Sequence, residues 1–132
     1  QYTQKQPQMG ETFEDLITSA FSEERDEQGE LYFKGVIVPQ MTSSLGTASE
    51  GVLTLLITKA AYRVIKDNKK GDLVLDNIST YFVRPLQIES EIEIRPRIIE
   101  VSRKFGKVDV EVLHNGELVC KAMLTAQFIN HL

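Results

Sequence analysis

Between Thr47 and Asp67 the apolar residues Val52, Leu53, Leu55, Leu56, Ile57, Ala60, Ala61, Val64 and Ile65 recur at helical spacing, yet they cover more than one stripe. A helix of this kind has no broad polar face to give to water, so other elements must enclose most of its circumference. Lys66, Lys69 and Lys70 suit the negative pole at its end, and Gly71 is a good stop. Everything after Gly71 reads as β structure. The rest of the chain must therefore supply a sheet that wraps one helix.

The strand signals agree. Asp72 to Val83 contains LVLDNISTYFV, rich in β-branched and aromatic residues. Ile88 to Val101 sets Ile92 and Ile94 against Glu91, Glu93 and Arg95, with a parity shift at Ile98–Ile99. Pro96 inside that run predicts a bulge or a sheet edge. Lys107 to Leu113 alternates, with Val108, Val110 and Val112 on one face, and Asn115-Gly116 is a type I′ hairpin signal. Leu118 to Ile129 places Cys120, Ala122, Leu124, Ala126 and Phe128 on one face.

Upstream, Leu31 to Val38 reads as a strand ending at Pro39, and the acidic stretch Ser22 to Gly29 as a loop. Phe13, Leu16, Ile17, Ala20 and Phe21 predict a short amphipathic helix over Glu11 to Phe21, with Thr12 as N-cap. Residues 1–10 are polar and read as a linker or tag remnant in front of a single domain over 11–132; trimmed residues of a complete short protein fit them equally. One enclosed helix, a strand before it and a four-strand antiparallel meander after it describe an α+β domain. A curved antiparallel sheet around one long central helix satisfies that list best.

Composition narrows the function. At 132 residues and 42% hydrophobic, the chain suits one domain that buries roughly 65–70% of its unfolded surface. A single cysteine precludes an internal disulfide and suits a reducing, cytoplasmic compartment. No apolar run approaches the ~18 residues of a membrane span, and no signal peptide is visible. A net charge of −4 argues against a nucleic-acid face, whereas Arg103, Lys104 and Lys107 make a patch of the size that suits a phosphate-bearing small molecule. His114 and His131 have no carboxylate or cysteine at triad or metal spacing, so no metal site is expected. Cys120 reads as a small core hydrophobe.

Three segments, QMTSSLGTASEGVLTLL, LDNISTYFVRPL and IIEVSRKFGKVDVEVLHNGELVCKAMLTAQF, resemble the small hotdog-fold acyl-CoA thioesterases of the phenylacetate-pathway type, over roughly Val36 to Phe128. Gly46, Thr47 and Gly51 match that family's helix-opening pattern in place. The resemblance implies a coenzyme A thioester as ligand, held between the helix of one subunit and the sheet of the next, with no permanently bound cofactor. It also implies a homodimer or a dimer of dimers. Ser43, Gly46, Thr47, Ser49, Gly51, Thr58 and Asn77 would line the ligand, and Arg103, Lys104 and Lys107 would meet its phosphates.

The departures fall at the reactive positions. Ser43 stands where the family carries Asn, Ser49 where it carries His, Glu50 where it carries Gly, and Thr58 where it carries the acid. A threonine holds no negative charge near neutral pH and cannot act as that base directly. Glu50, Ser49 and Thr58 remain weak catalytic candidates, and each has a plainer reading. Thr47-x-x-Glu50 is also a capping box, and the Thr58 hydroxyl can bond the carbonyl four residues earlier. The basic trio suits a solvated turn equally well. Asp76 and Asn77, polar in a strand that otherwise reads as buried, are expected at a dimer interface or a pocket wall.

MTSSLGTASEGV, KKGDLVLDN and RKFGKVDVEV also resemble the hotdog portion at the C-terminus of bacterial proteins with CBS modules upstream. The expectation is an acyl-CoA-binding domain, catalytically degenerate, that senses its ligand for a larger protein. An active thioesterase using Glu50, or a water held by Ser43 and Ser49, is the alternative; a purely structural dimerisation domain is the third.

Overall fold

Val108, Val110, Val112, Cys120, Ala122, Leu124 and Ala126 are all buried, because alternate residues of two neighbouring strands face the same helix. The computed structural model describes residues 19–43 and 46–129. Its elements are β1 (Phe21–Arg25), β2 (Leu31–Val36), a 3-10 turn (Pro39–Met41), α1 (Glu50–Asn68), β3 (Asp72–Phe82), β4 (Glu91–Val101), β5 (Phe105–His114) and β6 (Glu117–Ile129). The six strands form one antiparallel sheet in the order β1-β2-β4-β5-β6-β3.

The helix lies against this sheet and buries Leu53, Leu56, Ile57, Ala60, Ala61, Val64 and Ile65. Each such side chain contributes about 1.5–3 kcal/mol on leaving water. Gly106 marks the closest approach, since a Cβ there would lie 2.9 Å from Ile65 Cδ1. The α+β arrangement of one central helix on an antiparallel sheet is the hotdog fold that the resemblance implied. Among the described residues no helix is long and apolar enough to cross a membrane.

Several expectations are corrected. Ser22 to Gly29 is not simply a loop, because Phe21–Arg25 pairs with β2 as an edge strand. Its residues after Phe21 are polar on both faces and exposed, so no alternation announces it. Most of the amphipathic helix expected over Glu11 to Phe21 lies outside the described residues, and Phe21 itself belongs to β1. The central helix opens at Glu50 rather than Thr47. The expectation at Pro96 holds: it is buried and pairs with Val110 on one side, but on the other it lies on a local sheet edge. β4 loses its β2 neighbour just before it, at Phe33↔Ile94, and the bulge follows between Ile98 and Glu100.

β3 is the largest surprise. It reads as buried, yet among the described residues it forms a sheet edge, paired with β6 alone. Val74 is 50% exposed and Tyr81 72%, while Asp76 forms a bulge between Leu75 and Asn77. Asn115 (φ 52°) and Gly116 (φ 78°) make the expected I′ hairpin between β5 and β6. At the far end of the helix Arg25 pairs with Asp67 at 2.9 Å and Arg63 with Glu23 at 2.7 Å, which ties β1 to α1.

Candidate functional site

The helix mouth is assembled by backbone pairing. Ser43 N–H donates to Thr47 O (2.8 Å), Ala48 N–H to Leu86 O (2.7 Å) and Ser49 N–H to Met41 O (2.8 Å). Thr47 bridges to Gln87, and Gly46, with φ 79°, turns the chain between Ser43 and Thr47. The lead-in is thereby held extended until Ser49, which is the N-cap.

Ser49 makes no side-chain capping bond, and the expected Thr47–Glu50 capping box does not form. Thr47 sits two residues short of the N-cap, and its hydroxyl faces that of Ser43 at 3.5 Å instead. The helical ladder starts with Leu53 N–H to Ser49 O at 3.0 Å. The N–H groups of Glu50, Gly51 and Val52 precede it and mark the positive end of the helix dipole. A Cβ built on Gly51 would meet nothing nearer than Ser49 Oγ at 3.7 Å, so this glycine leaves the mouth uncovered.

A cleft of about 300 Å³ opens here, with Thr47, Ala48, Glu50 and Leu53 on one side and Phe82 to Leu86 on the other. Of the three residues with free N–H groups Glu50 lines this cleft, so that donor can face a carbonyl oxygen or an oxyanion with the Glu50 carboxylate nearby. Beneath it, burial pushes the Cys120 thiol up to about 11, and the Glu50 charge adds to the shift. Cys120 is therefore a thiol at neutral pH and no nucleophile.

The remaining sequence candidates are elsewhere in the chain. Thr58 is half-buried two turns along α1, about 12 Å from Glu50 along the axis. Its hydroxyl donates to Thr54 O at 2.8 Å, and the Thr54 hydroxyl donates to Glu50 O at 2.9 Å. Asn77 is exposed on edge strand β3, and Asp76 beside it accepts a long bond from Gln127 Nε2 at 3.4 Å; neither is buried, contrary to the reading of that strand.

The β4–β5 turn with Arg103 and Lys104 sits at the helix C-terminus, about 28 Å along the axis from the mouth. Lys69 Nζ donates to Ser102 O and Arg103 O, both at 3.0 Å, and so clamps the β4–β5 turn to the helix C-terminus. Lys104 lines a separate cleft of about 420 Å³ with Asp76, Gln127 and Phe128. Lys107 is a β5 residue between Glu100 and Thr125 rather than part of the turn. One chain thus unites Ser43, Gly46, Thr47, Ser49, Glu50 and Gly51, but not Thr58, Asn77 or the trio. The wall from Phe82 to Leu86 was missed as a site element. Its signal was the Arg84-Pro85 step directly after an aromatic strand end.

Comparison with known proteins sets this geometry in a family. The sequence model of the thioesterase superfamily matches residues 45–121. Uncharacterized protein YtoI of Bacillus subtilis (strain 168) is 45% identical over 130 residues, 98% of this chain, and the chain spans 30% of that protein's length. A hypothetical thioesterase from Streptococcus pneumoniae TIGR4, solved with coenzyme A, is 21% identical with a TM-score of 0.75 over 86% of this chain and 92% of that one. The BH2602 protein of Bacillus halodurans, solved with CoA, is 15% identical with a TM-score of 0.79 over 89% and 80%. At such identities the two structures establish the fold, and with the match across residues 45–121 the chain belongs to the thioesterase superfamily.

Proposed function

We propose that this domain binds an acyl-CoA thioester at the mouth of α1 without hydrolysing it, and reports occupancy to the rest of a longer protein. The observation that carries the reading is the mouth itself. It keeps the free N–H donors at the start of α1, with Glu50 lining the cleft, while Ser49 and Thr58 stand where the family resemblance implies a histidine and an acid. The two CoA-bound structures of the same fold support the ligand class. The match to less than a third of YtoI supports a module within a longer chain.

A second copy completes the site in this reading. β3 offers a strand edge of 11 residues with Val74 and Tyr81 exposed, which invites pairing. Antiparallel pairing of two β3 edges sets the Phe82 end of one beside the Asp72 end of the other. The Lys104 cleft of one subunit then approaches the helix mouth of its neighbour, and Arg103 and Lys104 reach the ligand from across the interface.

The test is thermal melting with a panel of acyl-CoAs and free CoA, with thiol release read in the same wells. A ligand-specific rise in Tm without thiol release supports a binder, because only a ligand of the native state stabilises by mass action. Turnover of several acyl-CoAs at ordinary enzyme rates refutes it. The Glu50 carboxylate at the cleft edge favours one alternative, an active thioesterase with Glu50 as base. That alternative requires Glu50→Ala to lose hydrolysis while keeping the Tm shift.

A further inference from the structure

A different cleft lies on the outer face of the sheet, away from the helix. On β5, Val108 and Val110 face the core, so Asp109 between them projects outward. Asp109 is nevertheless only 5% exposed, and its Oδ1 is buried with no hydrogen-bond partner among the described residues. Its Oδ2 has Arg97 at 3.8 Å and Lys121 at 3.7 Å, both beyond hydrogen-bond length. Arg97, directly across on β4, leaves 76% of its side chain in solvent rather than closing on the carboxylate.

The cleft beside Asp109 measures about 280 Å³, and its charged lining is Asp26, Glu30, Glu111 and Asp109 against Arg95 and Arg97. Arg95 is already engaged by Glu93 at 2.8 Å and Asp26 at 3.6 Å and stacks 4.3 Å from the Tyr32 ring centre. The lining carries four carboxylates against two guanidiniums, and with the Lys121 ammonium beside Asp109 an excess of one negative charge remains. Among the described residues no three of these groups are placed to hold a metal ion.

We propose that this cleft binds a small organic cation with N–H donors, a guanidinium or a primary ammonium, and that Asp109 Oδ1 is its acceptor. A buried carboxylate oxygen without a donor is strongly disfavoured, and a charge-assisted N–H bond is the interaction that best satisfies it. The incoming cation takes the place beside Asp109 that Arg97 leaves open. Glu111, next on the same outer face between Arg95 and Lys121 in register, adds a second carboxylate. The site lies on the opposite face of the sheet from the helix mouth and does not depend on thioester binding.

The experiment follows backbone amides of β4 and β5 by NMR during titration with methylguanidinium, with putrescine and with tetramethylammonium, which has the charge but no donor. Saturable shifts centred on Asp109 with the first two, absent with the third, support the site. Affinity should fall at least about tenfold in Asp109→Asn and rise in Arg97→Ala, which removes the competing guanidinium. An equal response to tetramethylammonium, unchanged affinity in Asp109→Asn, or no saturation by about 50 mM overturns it. Should Asp109→Asn not fold, Glu111→Gln takes its place, and unchanged affinity there overturns the site as well.

Discussion

The Thr58 hydroxyl donates to the carbonyl oxygen of Thr54 at 2.8 Å, so the helical position where the family resemblance implies an acid is closed onto its own backbone. Nothing ionisable replaces the acid at that position, one reason for reading the domain as a binder. Position 58 also lies about 12 Å along the helix from Glu50, so Thr58→Asp alone should leave thioester hydrolysis at the wild-type level at neutral pH. Thr58→Val, which removes only the hydroxyl, should leave both hydrolysis and the CoA-induced Tm shift unchanged. A thiol-release assay on the two variants checks both.

Gly106 gives a stability prediction. A methyl group there meets Ile65 Cδ1 at 2.9 Å, so Gly106→Ala should cost about 1–3 kcal/mol in urea unfolding. Ile65→Val deletes that Cδ1 atom, and the double variant should recover part of the loss. Additive losses in the double-mutant cycle would place the strain elsewhere.

The β3 edge predicts the response of assembly. Val74→Lys with Tyr81→Lys puts like charges onto the strand proposed to pair with its own copy. Sedimentation should show at least about tenfold weaker self-association with the fold intact, since like charges across a strand pair repel. CoA-induced stabilisation should weaken in parallel if the neighbouring subunit completes the site.

Acid titration should report Asp67. The hydrogen bond from Arg25 holds its carboxyl below the usual 3.8, with the charges of Arg25 and Arg63 acting in the same sense. A lowered folded pKa means that the contribution is complete above that ordinary value and is lost as pH falls through the depressed one. Asp67→Asn should thus lower Tm slightly at pH 5 and converge with wild type near pH 2, because exposed pairs contribute little.

Cys120 should be inert. Its thiol is buried and raised to about 11, so labelling at pH 8 should proceed only as fast as the domain opens. Cys120→Ala should leave ligand binding unchanged while costing about 1 kcal/mol of stability for the lost packing.

Much of the fold was legible in local pattern. The wide apolar surface of α1, the alternation of Val108, Val110 and Val112, and the Asn115-Gly116 turn each act over a few residues, where side-chain period and backbone preference decide the outcome. β1 was not legible, because an exposed edge strand such as FSEER buries too little to imprint a period. β3 misled for the opposite reason. Its apolar residues suit burial, but they sit on a free edge that a single chain leaves open.

The site divides along the same line. By itself the sequence determined the helix mouth, since Ser43, Gly46, Thr47, Ser49, Glu50 and Gly51 are neighbours along the chain and a helix N-terminus must leave its first donors free. It also determined the residue types at 49 and 58, a serine and a threonine, where the family resemblance implies a histidine and an acid. Only the tertiary structure decided that Phe82 to Leu86 form the facing wall, that the turn with Arg103 and Lys104 lies a full helix length away, and that Asp109 is buried on the outer face of the sheet. Those facts depend on strand order and register, which are set by how the whole sheet closes over the helix and not by the spacing of any one segment.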